Sequence, residues 1–403
     1  MDEESQGGAA AKPCPDGVAW QFTFVVEDGL GHRVHAMNIE RVLAQAPSVA
    51  GCLIRVSPSV DPARRWTGPL ARNWSLQASW LTRRSVQEHR SHRHVDALFI
   101  HTQVASLLSR PIMREVPTII SLDATPVNFD TMAEAYGHPR HGRGLEWGKR
   151  MVNKRAMRAA AGIVTWSQWA ADSVTADYGV PPRLVHVIPP GVDVARFRPR
   201  PRRHGDGPMR VLFVGGDFER KGGDDLVEAM RRVQPPVELD VVSPRGVVPC
   251  GLPVRVHGDV AANSDRMIEL LERADVFALP SRGDCTPLAV AEALSSGLPI
   301  VTTTVGALPE LVVDGWNGLV VPPADPQALA TALDRLAADA TLRGEMGRRS
   351  RTIAEADHDV FKNCRKIFDV MEEAARSTRP VTSSDTPGER RPTGRSPVRG
   401  RSR

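Results

Sequence analysis

Residues 213–223 read Phe-Val-Gly-Gly-Asp-Phe-Glu-Arg-Lys-Gly-Gly, so a β-rich apolar run ends in glycines and delivers Arg220 and Lys221 just ahead of a helical pattern through Leu226, Val227 and Met230. That arrangement suits a pyrophosphate. Glycines such as Gly216 let a backbone approach an anion, the first N–H groups and the dipole of a helix favour negative charge, and Lys221 supplies a compact point charge. A solvent-exposed turn with ordinary surface charges is the alternative. Farther on, the strand-like run Ala274–Ser281 leads into Arg282–Leu294, which puts Asp284 in a loop and Glu292 two helical turns later, with Cys285, Thr286, Pro287 and Leu288 between them. A loop carboxylate can accept hydrogen bonds from sugar hydroxyls, and a helix carboxylate facing a cleft can accept both hydroxyls of a ribose. Paired acids at this spacing equally suit a solvated helix face. A third loop, Gly306–Leu311, enters a helix with Pro309 near its first turn and Glu310 just inside. Its amides could meet phosphate or sugar oxygens, or Glu310 could simply complement the helix dipole.

In the N-terminal half, Gly29, Gly31, His32 and Arg33 lie at the mouth of the first helical pattern. They could receive a hydroxyl or a phosphate, and His32 could equally cap or pack; His101 is a similar case. Gly29-Leu30-Gly31 opens like a dinucleotide fingerprint, but Val34 holds the third glycine position, so hydride transfer loses its main support. No Walker A sequence is present. Arg64, Arg65, Arg72, Arg83, Arg84, Arg90 and Arg93, with Trp66, Trp74 and Trp80, face the single acid Glu88. This segment fits either contact with an anionic membrane surface or a solvated helix face with its Trp residues turned inward. His89, His92 and His94 lack nearby acids or cysteines, so no metal site is expected. Asp357-His358-Asp359 reads as a helix cap.

These residues need rigid elements to hold them. Gln21–Val26, 51–56, 97–100, 118–122 and 163–166 read as short strands separated by stretches long enough for crossover helices, which implies a parallel sheet. Ile188–Asp193 breaks the rhythm and 196–208 is rich in Pro, Arg and Gly, so a domain boundary belongs there. Strands then recur at 211–214, 238–242, 254–257, 276–279, 299–302 and 319–321, and helical stretches at 326–337 and 358–375 close the pattern. The expected fold is α/β, with two Rossmann-like, doubly wound parallel-sheet domains facing a cleft, where open sheets of this kind bind ligands. The divisions are a disordered 1–16, an N-terminal domain over 17–199, a C-terminal domain over 200–357, a crossover helix over 358–378 and a disordered basic tail over 379–403.

At 403 residues the chain exceeds the size at which one core keeps growing. The net charge of +5 is the excess of seven Arg over Asp385 and Glu389 in residues 379–403, so the body is close to neutral and no nucleic-acid partner is expected. The five cysteines are scattered singly, which argues against a disulfide framework and a structural zinc site. No apolar run is long enough to span a bilayer and the N-terminus is acidic, so a cytoplasmic location is expected, with any membrane contact peripheral at the inner face.

Taken in order, Val187–Asp193, Phe213–Gly216 with Lys221-Gly222, Ala274–Ser281, Glu292–Pro299, and Gly306–Glu310 with Asp314–Leu319 resemble the retaining nucleotide-sugar glycosyltransferases of family 4, which have the GT-B architecture. The likeness covers the C-terminal half; the N-terminal half matches in its α/β rhythm and its Gly31-His32 loop. It implies a nucleoside-diphosphate sugar as donor, UDP-, GDP- or ADP-linked, no permanently bound cofactor and no metal. Transfer would go to an acceptor hydroxyl of a small molecule, a glycan or a lipid-linked sugar, with retention of configuration. By the resemblance Lys221 contacts the donor diphosphate, Glu292 the ribose, and Asp284–Leu288 the transferred sugar and phosphates. Three positions depart from the family pattern. Asp284 stands where the paired-acid motif usually has Glu. Gly216 stands where an Arg commonly grips the diphosphate, a task that Arg220 could take over. Asp123 stands near a His that touches the donor sugar in many members. Asp123, Asp284 and Glu292 are accordingly the candidate catalytic residues. The alternative is a GT-B protein that binds a sugar nucleotide or glycan without turnover.

Overall fold

The computed structural model describes residues 20–27, 29, 31–57, 73–137, 142–200, 207–234, 236–244 and 251–378. The segments expected to be disordered, 1–16 and 379–403, lie outside the described residues, as do Arg64, Arg65, Trp66 and Arg72 of the basic segment.

The N-terminal half alternates strand and helix. Strand β1 (Trp20–Glu27) is followed by α1 (His32–Leu43), β2 (Val49–Val56), α2 (Trp74–His92) and β3 (Ala97–His101). Then come α3 (Gln103–Ser106), α4 (Arg110–Met113), β4 (Thr118–Leu122), α5 (Pro126–Asp130), α6 (Arg143–Met157), β5 (Gly162–Thr165), α7 (Gln168–Ala176) and β6 (Val185–Val187). All six strands pair in parallel, in the order β2-β1-β3-β4-β5-β6. The central strands carry continuous apolar runs because helices cover both faces; β3 and β4 are buried at every position.

The rhythm restarts with β7 (Met209–Val214), α8 (Gly223–Met230), β8 (Val237–Val242), β9 (Val254–His257), α9 (Asp265–Arg273) and β10 (Val276–Leu279). It continues through α10 (Leu288–Ser295), β11 (Ile300–Thr303), α11 (Leu308–Leu311), β12 (Gly318–Val321), α12 (Pro326–Ala338), α13 (Ala340–Asp357) and α14 (Val360–Thr378). This second sheet is also parallel, in the order β12-β11-β10-β7-β8-β9. The architecture is therefore the expected pair of Rossmann-like sheets.

Two elements are absent from the sequence reading. Strand β6 is a three-residue, partly exposed edge strand, too short to generate an alternation. Helix α13 buries only Met346, Gly347, Ser350 and Ala354, and its run of Arg, Thr and Glu residues hides the apolar period.

One core fills the C-terminal half, around β7, β10 and β11. The N-terminal sheet has a core on each face. One of them is completed by α14, which brings Cys364, Ile367, Phe368 and Met371 against Phe24 and Ala36; the Phe368 ring meets Phe24 edge-on at 5.9 Å. Asp359 starts that helix, its Oδ1 accepting the Phe361 N–H at 2.9 Å. In each sheet the chain reverses direction once, between β1 and β3 and between β7 and β10. The carboxyl ends of strands at such a point leave a crevice for ligand.

Candidate active site

At the C-terminal reversal, β7 runs out at Val214 and the chain turns through Gly215–Gly222 into α8. Gly222 has φ +76, a left-handed conformation that favours glycine, and a Cβ there would stand 2.0 Å from the Pro280 carbonyl oxygen. This close passage lays the loop after β7 along the loop after β10. Arg282 N–H donates to the Arg220 carbonyl at 2.9 Å, and the Arg282 side chain grips Asp225 through two bonds of 2.8 and 2.6 Å. Between the stitched loops Lys221 Nζ donates to Asp284 Oδ2 at 2.7 Å, with both side chains largely buried. Gly306, at φ +57, passes so near Asp284 that a Cβ would stand 2.0 Å from its carbonyl oxygen. Gly216 is exposed and has open space where a Cβ would stand, so packing does not require glycine there.

Pro287 caps α10, whose every position but Ala289 is buried. Glu292 lies among those buried residues, and its side-chain carboxyl has no hydrogen-bond partner among the described residues. Burial alone pushes its carboxyl up to about 7. Thr286 Oγ1 is likewise buried without a partner, and Cys285 is a buried free thiol. An unsatisfied buried polar group costs about 1–3 kcal/mol, which makes Thr286 Oγ1, at a sheet's reversal, a candidate to meet a ligand.

The N-terminal reversal is built differently. Gly31 is the N-cap of α1, and His32 opens the helix between two carboxylates, with Nδ1 3.7 Å from Glu27 and Nε2 3.7 Å from Asp123. Burial opposes the imidazolium, but the paired carboxylates of Asp123 and Glu27 outweigh it and push His32 up to about 10. Beneath it lie two neutral histidines. Burial, with the His32 charge added, pushes His35 down to about 3 and holds His101 well below the usual range. His101 stacks on Trp166 at 4.7 Å, and its Nδ1 shares a 3.2 Å bond with Ser121 Oγ. Thr102 holds Glu27 from behind at 3.2 Å.

The two sides meet directly. The Arg220 guanidinium lies 4.5 Å over the Tyr136 ring, and its Nη1 donates to Tyr136 OH at 3.3 Å and to the Gly283 carbonyl at 2.5 Å. Ala124, Met132 and Cys285 form a small apolar cluster across the boundary. Glu310 accepts the N–H groups of Gln168 and Trp169, both at 2.7 Å, at the first turn of α7. Instead of leaving its loop free for a ligand, Glu310 complements the dipole of a helix in the other half.

A family model described as Glycosyltransferase Family 4 matches residues 28–196, and one described as Glycosyl transferases group 1 matches residues 208–339. The chain belongs to the group 1/family 4 glycosyltransferases of GT-B fold. The chain is 34% identical over 199 residues to the MMP alpha-(1->4)-mannosyltransferase of Mycolicibacterium hassiacum, covering 46% of this chain and 47% of that protein. It is 31% identical over 235 residues to the D-inositol 3-phosphate glycosyltransferase of Xylanimonas cellulosilytica, covering 52% and 55%. The chain thus spans about half the length of these two relatives. Glycogen synthase of Mycobacterium tuberculosis is 26% identical over 430 residues, covering 94% of this chain and 97% of that one. Sucrose-phosphate synthase from Thermosynechococcus elongatus shares the fold with a TM-score of 0.71 at 17% identity, over 89% of this chain and 100% of that one. Anabaena HepE in complex with UDP-glucose does so with a TM-score of 0.63 at 17% identity, over 88% and 99%.

Arg220, Lys221, Asp284, Cys285, Thr286, Pro287, Leu288 and Glu292 surround the C-terminal reversal, while Gly31, His32 and Asp123 gather at the N-terminal one. Sequence reasoning missed Glu27, His35, Tyr136 and Trp166. Glu27 ends β1 and Trp166 directly follows β5, positions that could have flagged them; Tyr136, in an irregular turn, carries no such signal. Among the described residues His89 faces Cys52 and His94 faces Asp96, and no group of acids, cysteines and histidines is arranged to hold a metal.

Proposed function

We propose that this chain transfers a sugar from a nucleoside-diphosphate sugar to an acceptor hydroxyl with retention of anomeric configuration. Residues 200–357 would hold the donor and 17–199 the acceptor side. The observation that carries this reading is the buried Glu292 carboxyl without a partner, one loop away from the Lys221–Asp284 pair at the reversal of the C-terminal sheet. A carboxyl so placed suits two ribose hydroxyls, and Lys221 suits a diphosphate oxygen once it turns from Asp284, which is then released toward the sugar. Complexes of HepE with UDP and with UDP-glucose, a neighbour in fold, support this class of donor.

In the proposed step the bond from the anomeric carbon to the diphosphate oxygen breaks, and the acceptor oxygen bonds to the same face. The acceptor proton passes to the departing diphosphate. Lys221 and the α8 amides stabilise the charge that develops there, and Asp123, steadied by His32, accepts a sugar hydroxyl. Closure through Arg220–Tyr136 and Glu310 excludes water from the donor.

Thermal shift with UDP, GDP, ADP and their sugar conjugates tests the donor site, since saturation at 100 times Kd adds about 2.7 kcal/mol of stability. One base should shift the melting transition clearly, and its sugar conjugate should be consumed with an acceptor. Donor binding without transfer to any acceptor panel would favour the non-catalytic binding protein, and no shift with any nucleotide would sink the transferase reading.

A further inference from the structure

Helix α6 exposes the bulkiest apolar surface of the described chain. Leu145 is 55%, Trp147 68% and Val152 43% exposed. At 100° per residue, Asn153, Ala156 and Met157 define the buried face, which packs toward α3. Trp147, Met151, Arg155 and Arg158 project from the opposite face, together with Lys154 on its flank, whereas Leu145 and Val152 lie on the other flank beside Ala156. Charge is distributed unevenly along the helix. Lys149 and Arg150 are neutralised by Glu146 at 3.0 Å and Asp177 at 3.1 Å. Lys154, Arg155 and Arg158 have no acidic partner among the described residues. Together with Arg110, Met151 and Ala159 they line a groove of about 400 Å³ that contains no acid. The Arg110 Nε within it is buried without an acceptor.

We propose that α6 docks this chain on an anionic phospholipid bilayer. Trp147 and Met151 would enter the headgroup boundary, and Lys154, Arg155, Arg158 and Arg110 would take lipid phosphates. An exposed Trp and a Met on one face with unpaired cations suit a helix lying in a membrane interface. A polyanion alone would leave the apolar side chains in water. The topology adds an orientation. Because α6 leads into the parallel strand β5, its apolar N-terminal end lies at the edge of the sheet that carries the cleft, and its cationic end at the opposite edge. Docking along the helix, about 22 Å long, therefore brings the cleft mouth to the lipid surface. This surface is separate from the reaction and stands whether or not transfer occurs.

The test is flotation of the full chain with vesicles of phosphatidylcholine alone or mixed with phosphatidylglycerol. Binding is expected only to the mixed vesicles and should weaken with salt. Each surface cation near an anionic leaflet contributes about fivefold in affinity, so Lys154→Gln/Arg155→Gln/Arg158→Gln should weaken binding roughly hundredfold. Trp147→Ser/Met151→Ser should abolish it at moderate salt, and Arg83→Gln/Arg84→Gln on α2 should leave it unchanged. Brominated lipid should quench wild-type fluorescence more than that of Trp147→Phe, an exposed change that leaves packing intact. Failure to float, flotation unaffected by the α6 changes, loss through the α2 changes, or capture by heparin without capture by vesicles would each overturn the proposal.

Discussion

The two sheet reversals share one topology and carry opposite chemistry. At the C-terminal one, glycines bring two loops together, a Lys–Asp pair closes the gap, and a buried carboxyl stands without a partner. At the N-terminal one, a histidine sits 3.7 Å from each of two carboxylates, above two more histidines and a Trp, with His32 Nδ1, His35 Nε2 and His101 Nε2 buried without hydrogen-bond partners. On the proposed reading the first changes partners when a ligand arrives and the second holds a charge distribution against it, which would separate binding from positioning within one cleft.

The largest effect is expected from Lys221→Ala, which should lower kcat/KM for the donor by about 10²–10³, the range for removing one stabiliser of developing negative charge. An equal loss from His32→Gln would break the division of labour. Next, Glu292→Gln should weaken donor binding about 10- to 100-fold in titration calorimetry, since it leaves buried ligand hydroxyls with a poorer acceptor. It also carries a pH signature. The folded carboxyl titrates at about 7, above the ordinary 4.5, so its contribution to stability is full below about pH 4.5 and is lost as pH rises through about 7. Melting of Glu292→Gln should accordingly lack that decline and exceed wild type at pH 8.

His32→Gln sharpens the other side. The His32 pKa is raised from 6.5 to about 10, so its stabilisation is full below about pH 6.5 and disappears as pH rises through about 10. The variant should be less stable by on the order of 1–3 kcal/mol at pH 6 and nearly equal to wild type above pH 10, as read by denaturant melts. The smallest effect belongs to the bridge between the halves. Glu310→Ala removes two cross-boundary bonds of 2.7 Å at an exposed site. About 1 kcal/mol, or roughly fivefold in donor KM, should be lost, with a larger radius of gyration in solution scattering.

Much of this was legible in the sequence, for identifiable reasons. Most of these parallel strands leave apolar runs, so eleven of the strands stand out, whereas β6, only three residues long, leaves no pattern. Lys221, Asp284 and Glu292 are legible because the loops that hold them are short and continuous in the chain. The partnership of Lys221 with Asp284 is not, since it depends on Gly222 approaching Pro280 across 58 positions of sequence. The histidine stack is equally invisible, because His32, His101 and Trp166 come from three different strand ends that only the sheet order brings together.

The return of α14 to the N-terminal sheet also sets an order of events during synthesis. The chain emerges N-terminus first, yet the face bearing Phe24, Ala36 and Ile39 is closed only by residues at the far end of the described chain. Until the ribosome has delivered Cys364, Phe368 and Met371, that apolar surface is open to water and to chaperones, while the C-terminal half can already build its own core. The first half translated is thus the last to be completed, and a chain stopped before α14 should be drawn to chaperones through its N-terminal half.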